Sequence, residues 1–425
     1  MKHDVIIAGA GLAGLTLALA LAAQQRRVLV LDARAAAPVP PATNEFDQRI
    51  YAISPASSAW LQSIRVWQNV DAARVTPVYD MRIHGDAPQA LPGLDLLNGL
   101  PWFPGVAAGA DAGGLHLSAY RAGVGELCHI VEERELARAV EGAVRYAAGI
   151  EIMRPVEMEA LVHDDAGVRL TLADGRVLEA ELLVGADGAQ SWVRAASGIS
   201  VAETPYGQTA VVANFQTSMQ HFNCATQWFR TEADGGMSVL AWLPLPNQQI
   251  SMVWSAPDAL AAELAALAPD DLAARVMAAG DGRLGELRPA GACATFPLRN
   301  LRAKSLIASR VALVGDAAHV VHPLAGQGLN LGFGDCAALA EVLAGGGRAA
   351  PGGAHDPGDV YVLRRYDRAR AAAVLEMHAV THGLQRLFSS THPLLRTARN
   401  IGLNLTGQIP VLAQWLVQRA TRTFQ

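Results

Sequence analysis

The chain has 425 residues and a formal net charge of -5, so nothing in its charge calls for nucleic acid as a partner. It is longer than one small hydrophobic core can organise, and two closely packed domains are expected. Cys128, Cys224, Cys293 and Cys336 stand far apart without a CxxC pair, which argues for a reduced, cytoplasmic protein and against structural zinc, an iron–sulfur cluster or any other metal.

At the N-terminus, Val5 to Ala23 is almost unbroken apolar sequence behind Lys2, long enough for a membrane span or a signal segment. Gly9-Ala-Gly-Leu-Ala-Gly14 points elsewhere. It follows the strand-like Asp4–Ala8 at once, and a second apolar run, Val28–Leu31, ends in Asp32. These parts make a βαβ unit for a dinucleotide. Gly9 permits a tight turn, Gly11 lets backbone approach a pyrophosphate, Gly14 lets helix pack on strand, and Asp32 stands where a carboxylate meets an adenosine ribose.

An irregular Ala/Pro segment leads to Asp47-Gln-Arg-Ile-Tyr-Ala-Ile-Ser54 and a helix expected from Pro55. Arg49 there can grip phosphate, stack beside a flat ring, or be an ordinary solvated arginine. Residues 78–118 are rich in Gly and Pro and read as an excursion into a second domain. Residues 126–147 carry helical periodicity, with Val131, Leu136, Ala139 and Val140 on one face. Arg134 near their start is either a surface charge or within reach of a cofactor. Val168–Leu172 and Val177-Leu178 flank a hairpin turn. The strand that follows ends in Gly185-Ala-Asp-Gly188, where Asp187 and Gly188 make either an ordinary turn or an acceptor near a ribityl or nicotinamide group.

Residues 205–300 alternate like antiparallel strands, interrupted by an Ala/Leu-rich helical stretch at 259–279. Trp228, Trp242, Trp254 and Phe296 could wall an aromatic pocket, but aromatics in strands are expected in the core. Val311–Val314 then reads as a buried parallel strand ending in Gly315-Asp316, where open α/β sheets bind ligands. The loop from Pro323 to Gly328 can lay bare backbone against a flat or anionic ligand. A helix from Gly328-Leu329-Asn330 through Ala340 would aim its positive end there. A Gly/Ala/Pro loop, Leu343 to Gly358, closes the cofactor unit. The tail, 359–425, reads as helices broken at Pro393 and Pro410.

The order of these signatures resembles the single-component FAD-dependent aromatic hydroxylases of the para-hydroxybenzoate hydroxylase type. Within them it is most similar to the ubiquinone-biosynthesis hydroxylase branch, through Asp47-x-Arg-x-x-Ala-Ile53, Ile130-Val-Glu132, Val253-Trp-Ser255, Phe296-Pro-Leu298 and His322-Pro-Leu-Ala-Gly-Gln-Gly328. The resemblance implies an α/β, Rossmann-like FAD-binding domain of the glutathione-reductase type, an inserted, mostly antiparallel β-sheet substrate domain, and C-terminal helices. The FAD domain would comprise 1–77, 119–200 and 301–358, the substrate domain 78–118 and 201–300, and the helices 359–425.

By the same resemblance, Gly9, Gly11 and Gly14 hold the FAD pyrophosphate and Asp32 the ribose. Arg49 and Arg134 line the FAD channel. Asp187 and Gly188 stand between FAD and NAD(P)H contacts, Gly315 and Asp316 meet the ribityl or pyrophosphate region, and Pro323, Gly326, Gln327, Gly328, Leu329 and Asn330 border the isoalloxazine. The implied reaction uses NAD(P)H as transient reductant and molecular oxygen, and hydroxylates a phenol through a flavin C4a-hydroperoxide. The implied substrate is a polyprenyl phenol or methoxyphenol of ubiquinone biosynthesis, reached peripherally at the inner membrane or within a complex. A small soluble aromatic substrate and a non-enzymatic FAD-binding accessory role are the alternatives. A flavin-dependent halogenase would need a lysine between flavin and substrate, and the only lysines are Lys2 and Lys304. No catalytic base is evident, and His319 and His322 read as packed structural histidines.

Overall fold

The apolar run at the N-terminus folds as a strand and a helix buried together. In the computed structural model, which describes residues 2–35, 45–85, 114–164, 166–232, 236–321, 328–345 and 356–389, His3–Ala8 is a strand and Leu12–Ala23 a helix buried from Gly14 to Leu21. This helix packs against the helices Glu133–Arg145 and Gly328–Ala344 as well as the sheet, which is why it carries no polar face. Among the described residues no helix is long and apolar enough to cross a membrane.

The first sheet is built on parallel strands in the order Val311–Leu313, Val177–Gly185, His3–Ala8, Val28–Leu31, Ile150–Met153. Ile307–Ala308 adds an antiparallel edge, and Met158–Asp164 and Gly167–Leu172 fold back along the start of the Val177 strand. Covered on both faces, the central strands are apolar at almost every position, unlike strands with one wet face.

A small sheet joins Ile50–Ile53 and Val75–Val78 to Cys128–Glu132. This corrects the helix expected over 126–147, which starts only at Glu133. Val131 lies between Tyr51 and Val75 in the sheet. Two flanking strands give Ile130 and Val131 more burial than a lone helical turn would, and that outweighs local periodicity. Proline also divides the stretch 259–279 into two helices, Asp258–Ala266 and Pro269–Ala279, the second with Pro269 in its first turn.

The second sheet runs His319–Val320, Ala294–Ala303, Val201–Thr217, Gln249–Pro257, Met237–Leu245, Cys224–Thr231, Asp80–His84, Gly114–Ser118. Side chains alternate across it. One face carries Trp228, Trp242, Trp254, Phe215 and Met252 under the two helices, all buried. The three tryptophans are therefore core, as expected. Phe296 is not among them. It pairs with Ala210, one residue out of phase with Val211 and Trp254, and so belongs to the opposite face. The helix Val360–Ser389 packs on Gly328–Ala344; the predicted breaks at Pro393 and Pro410 lie outside the described residues.

Candidate active site

The parallel strands deliver three short turns to one edge of the first sheet. In the first, Gly9 has φ +110°, and a Cβ there would lie 2.2 Å from the Ala186 carbonyl oxygen. A Cβ on Gly14 would lie 1.9 Å from the Gly9 oxygen. Packing of the chain on itself requires both glycines. Gly11 differs: a Cβ there meets no heavy atom within 4 Å. Gly11 is also the N-cap of Leu12–Ala23 and offers no side-chain cap, so the first amides of this helix face open space. Beside them, Asp32 accepts the Ala10 N–H at 2.7 Å and, on its other oxygen, the Arg34 N–H at 2.8 Å.

The second turn follows Gly185. Asp187 accepts the Val193 N–H on Oδ2 at 3.0 Å, while its buried Oδ1 has no protein partner, and Gly188 holds φ +80°. The third is Gly315-Asp316. Gly315 has φ +62°, and a Cβ on it would come within 3.3 Å of Ala13 Cβ in the first turn. Arg194, itself buried, donates to the Ala189 and Ala317 carbonyls and so ties the second turn to the third. The Asp316 side chain is open to the cleft, but the surrounding protein raises its carboxyl pKa, against the pull of His319, Arg49 and Arg299.

Arg49 reaches the same cleft. It lies 5.1 Å over the Phe296 ring and donates to Glu133 at 3.2 Å. Burial opposes its charge, but Glu133 and Tyr51 outweigh this and keep its pKa above the ordinary value. Tyr51, on the same side of the Ile50–Ile53 strand, donates its hydroxyl to Glu133 at 3.3 Å. Burial and the nearby Glu133 hold that phenol protonated far above the usual tyrosine range. Sequence reasoning passed over Tyr51 and Glu133. The two-residue alternation after Arg49 was the available signal for Tyr51, and the first position of a helix the one for Glu133.

Arg134 is placed differently. Its guanidinium donates to Glu132 at 3.1 Å and to the Glu45 carbonyl at 2.6 Å. Glu132, fully buried, also accepts Arg74 and the Asp47 N–H. Arg134 thus helps pin the segment that carries Arg49. Asn330 is likewise engaged inside the protein: its carbonyl oxygen accepts the Ser54 N–H and the Ser57 hydroxyl, and its amide donates to the Ala52 carbonyl. These bonds seat the start of the Gly328–Ala344 helix, with Leu329 half-buried, against the Ser54 cap of Pro55–Ser63. His322, Pro323, Gly326 and Gln327 lie outside the described residues. His319 is a packed, buried histidine, bonded to Asp335.

Residues 2–375 match the family described as FAD binding domain. A ubiquinone hydroxylase, UbiL, of Rhodospirillum rubrum is 32% identical over 422 residues, 99% of this chain and 90% of that protein. The 3-demethoxyubiquinol 3-hydroxylase of Escherichia coli is 32% identical over 417 residues, 98% of each. The chain belongs to the FAD-dependent aromatic hydroxylases, in their ubiquinone-hydroxylase branch. Its fold is that of Pseudomonas aeruginosa PqsL, crystallised with 2-aminobenzoylacetate (TM-score 0.70, 23% identity, 96% of this chain and 100% of that one). It is also that of the p-nitrophenol 4-monooxygenase PnpA of Pseudomonas putida (TM-score 0.72, 17% identity, 100% and 98%).

The hydroxylase is an FAD-dependent monooxygenase, and its own residues fit the cofactor. The open space at Gly11 beside an uncapped helix start suits a diphosphate, and the unpartnered Asp187 Oδ1 is an acceptor awaiting a donor. Facing this cleft is the side of the second sheet that the helices leave bare. Ala225 and Leu245 on it pack with Val78 and Ile130, and Asn214 donates to the Phe46 and Asp47 carbonyls, both at 3.0 Å. Following the register outward gives Ala210, Val212, Gln227, Val239, Ala241, Leu243, Ser251, Val253, Ser255 and Phe296, with Met81, Ile83, Leu115 and Leu117 at the far edge. Among the described residues of the strands Gln249–Pro257, Met237–Leu245, Cys224–Thr231, Asp80–His84 and Gly114–Ser118, no charged side chain stands on this face; at its margin lie Arg302, in phase with Phe296, and Arg49, over the Phe296 ring. Arg82, Arg230 and His116 fall on the other one.

Proposed function

We propose that the hydroxylase acts on an uncharged, apolar phenol or methoxyphenol carrying a polyprenyl chain, an intermediate of ubiquinone biosynthesis. The observation that carries this reading is the uncharged face that the strands Gln249–Pro257, Met237–Leu245 and Cys224–Thr231 of the second sheet turn toward the cleft. Arg49 at its margin is already paired with Glu133, so an aromatic carboxylate held against these strands would lose its hydration without gaining a free cation, which costs several kcal/mol in a buried site. A neutral phenol with an apolar tail loses nothing comparable. The names of the Rhodospirillum and Escherichia relatives support the same class.

In this reading Gly11 and the start of Leu12–Ala23 receive the FAD diphosphate, Asp32 the adenosine ribose, and Asp316 the ribityl chain. Arg49 lines the channel, and Asp187 with Gly188 borders both FAD and the transient NAD(P)H. FAD, once reduced, supplies the activation of dioxygen. The protein orients the phenol against Phe296 and the apolar face and keeps water out, which limits loss of oxidising equivalents. The amides at the start of Gly328–Ala344 favour negative charge on the polar edge of the flavin. A prenylated substrate lies in a membrane, so the enzyme meets it peripherally or within a biosynthetic complex. Expression in a bacterium lacking one ring hydroxylase should restore quinone synthesis. If every such strain stays quinone-deficient while the purified enzyme hydroxylates only a small aromatic acid, the substrate reading is wrong.

A further inference from the structure

Behind the Gly315-Asp316 turn, in the helix Gly328–Ala344, lies a completely buried carboxylate, Asp335. Its Oδ2 accepts the Gly315 N–H at 3.0 Å and pairs with His319 Nε2 at 2.6 Å, and its Oδ1 accepts Arg370 Nε–H at 2.7 Å. Arg370 is 4% exposed, comes from the helix Val360–Ser389, and also donates to the Leu331 carbonyl at 3.1 Å. Burial works against the charge of Asp335, but His319 and Arg370 hold its carboxyl below the usual range.

Apolar side chains of the same volume would join these elements at lower desolvation cost. What the ionic arrangement adds is direction. Gly315, at φ +62°, points its N–H at Asp335, and the next side chain, Asp316, opens into the cleft. A hydrogen bond fixes the angle of that peptide in a way that non-directional packing does not.

We propose that Asp335 is a positioning residue for the cofactor: together with Arg370 it fixes the Gly315 amide and hence the place of the Asp316 carboxylate. The helix Val360–Ser389 then becomes a working part of the FAD site although its Arg370 lies outside the cleft. The proposal rests on reading the Asp316 cleft as the FAD site.

The test is titration of FAD-stripped, full-length protein with FAD, together with the melting temperature of each variant and the absorption spectrum of its bound flavin. Arg370→Leu breaks the tie without touching a cleft side chain, Arg370→Lys keeps the charge, and Leu264→Ala, under the second sheet, controls for lost stability alone. Arg370→Leu should raise the FAD dissociation constant about tenfold or more and shift the flavin spectrum, measured where all variants are folded. Asp335→Asn should do so more strongly, Arg370→Lys should recover most of the affinity, and Leu264→Ala should change neither readout. Should Asp335→Asn fail to fold, the two Arg370 variants still decide. Wild-type affinity and spectrum in Arg370→Leu, with only the melting temperature lowered, would overturn the proposal. A wild-type chain with no affinity for FAD would overturn the cleft reading itself, and the proposal with it.

Discussion

The two faces of the second sheet are made from the same strands yet treated in opposite ways. One is filled by Trp228, Trp242 and Trp254 and sealed by two helices, so tightly that a Cβ on Gly280 would fall 1.9 Å from the Trp242 ring. The other carries small apolar and neutral polar side chains, several of them only half-buried, and faces the cofactor cleft. The glycine turn repeats the contrast within six residues: Gly9 and Gly14 are filled against by the protein, Gly11 by nothing. Where the chain packs on itself, shape sets the residue. Where it leaves room, a ligand does.

The largest effect expected from this contrast is on the sealed face. Trp242→Ala should cost about 3–5 kcal/mol of stability, the range for a large buried aromatic. Denaturant unfolding would measure it, and the preference among substrates of the surviving folded fraction should stay as it was. A changed preference would mean that the two faces are not independent.

Gly11→Val tests the open part of the turn. With no protein atom to strike, the variant should fold with near-native stability, yet bind FAD about a hundredfold more weakly or not at all, because its side chain takes the diphosphate's place. Flavin fluorescence titration beside a thermal melt separates the two quantities. Unchanged FAD affinity would show that the space at Gly11 serves something else.

Smaller still is the expected effect of Asp316→Ala, a loss of about 1–3 kcal/mol in FAD binding if one charge-assisted hydrogen bond disappears. Burial of its charge outweighs the pull of His319, Arg49 and Arg299, so the melting temperature without FAD should hardly move. A large drop there would turn Asp316 into a structural residue.

Much of the cofactor side was legible because its signals are local. Gly9 to Asp32 and Val311 to Asp316 each place strand, turn and acid within one continuous stretch, and the strands formed as their apolar runs suggested. The strand Cys128–Glu132 was not legible, since it exists only through Ile50–Ile53 and Val75–Val78, far away in sequence. Nor was the clustering of Asp335 with Arg370, whose meeting depends on how two helices pack. Phe296 could be read as a strand residue but not assigned to a face. That depends on pairing with Ala210, beyond an irregularity between Pro205 and Gln208, and register in a sheet is fixed by the whole sheet.

The most direct measurement of the central claim is the ratio of kcat/KM for a neutral, alkyl- or prenyl-substituted phenol to that for the matching hydroxybenzoate, followed as product formed by the FAD-loaded enzyme with NADPH and dioxygen. With Arg49 already paired to Glu133 and the central strands of the wall uncharged, the neutral phenol is predicted to be favoured by roughly a hundredfold or more, since the carboxylate would be left without a free partner. Equal values, or a preference for the carboxylate, would contradict the account.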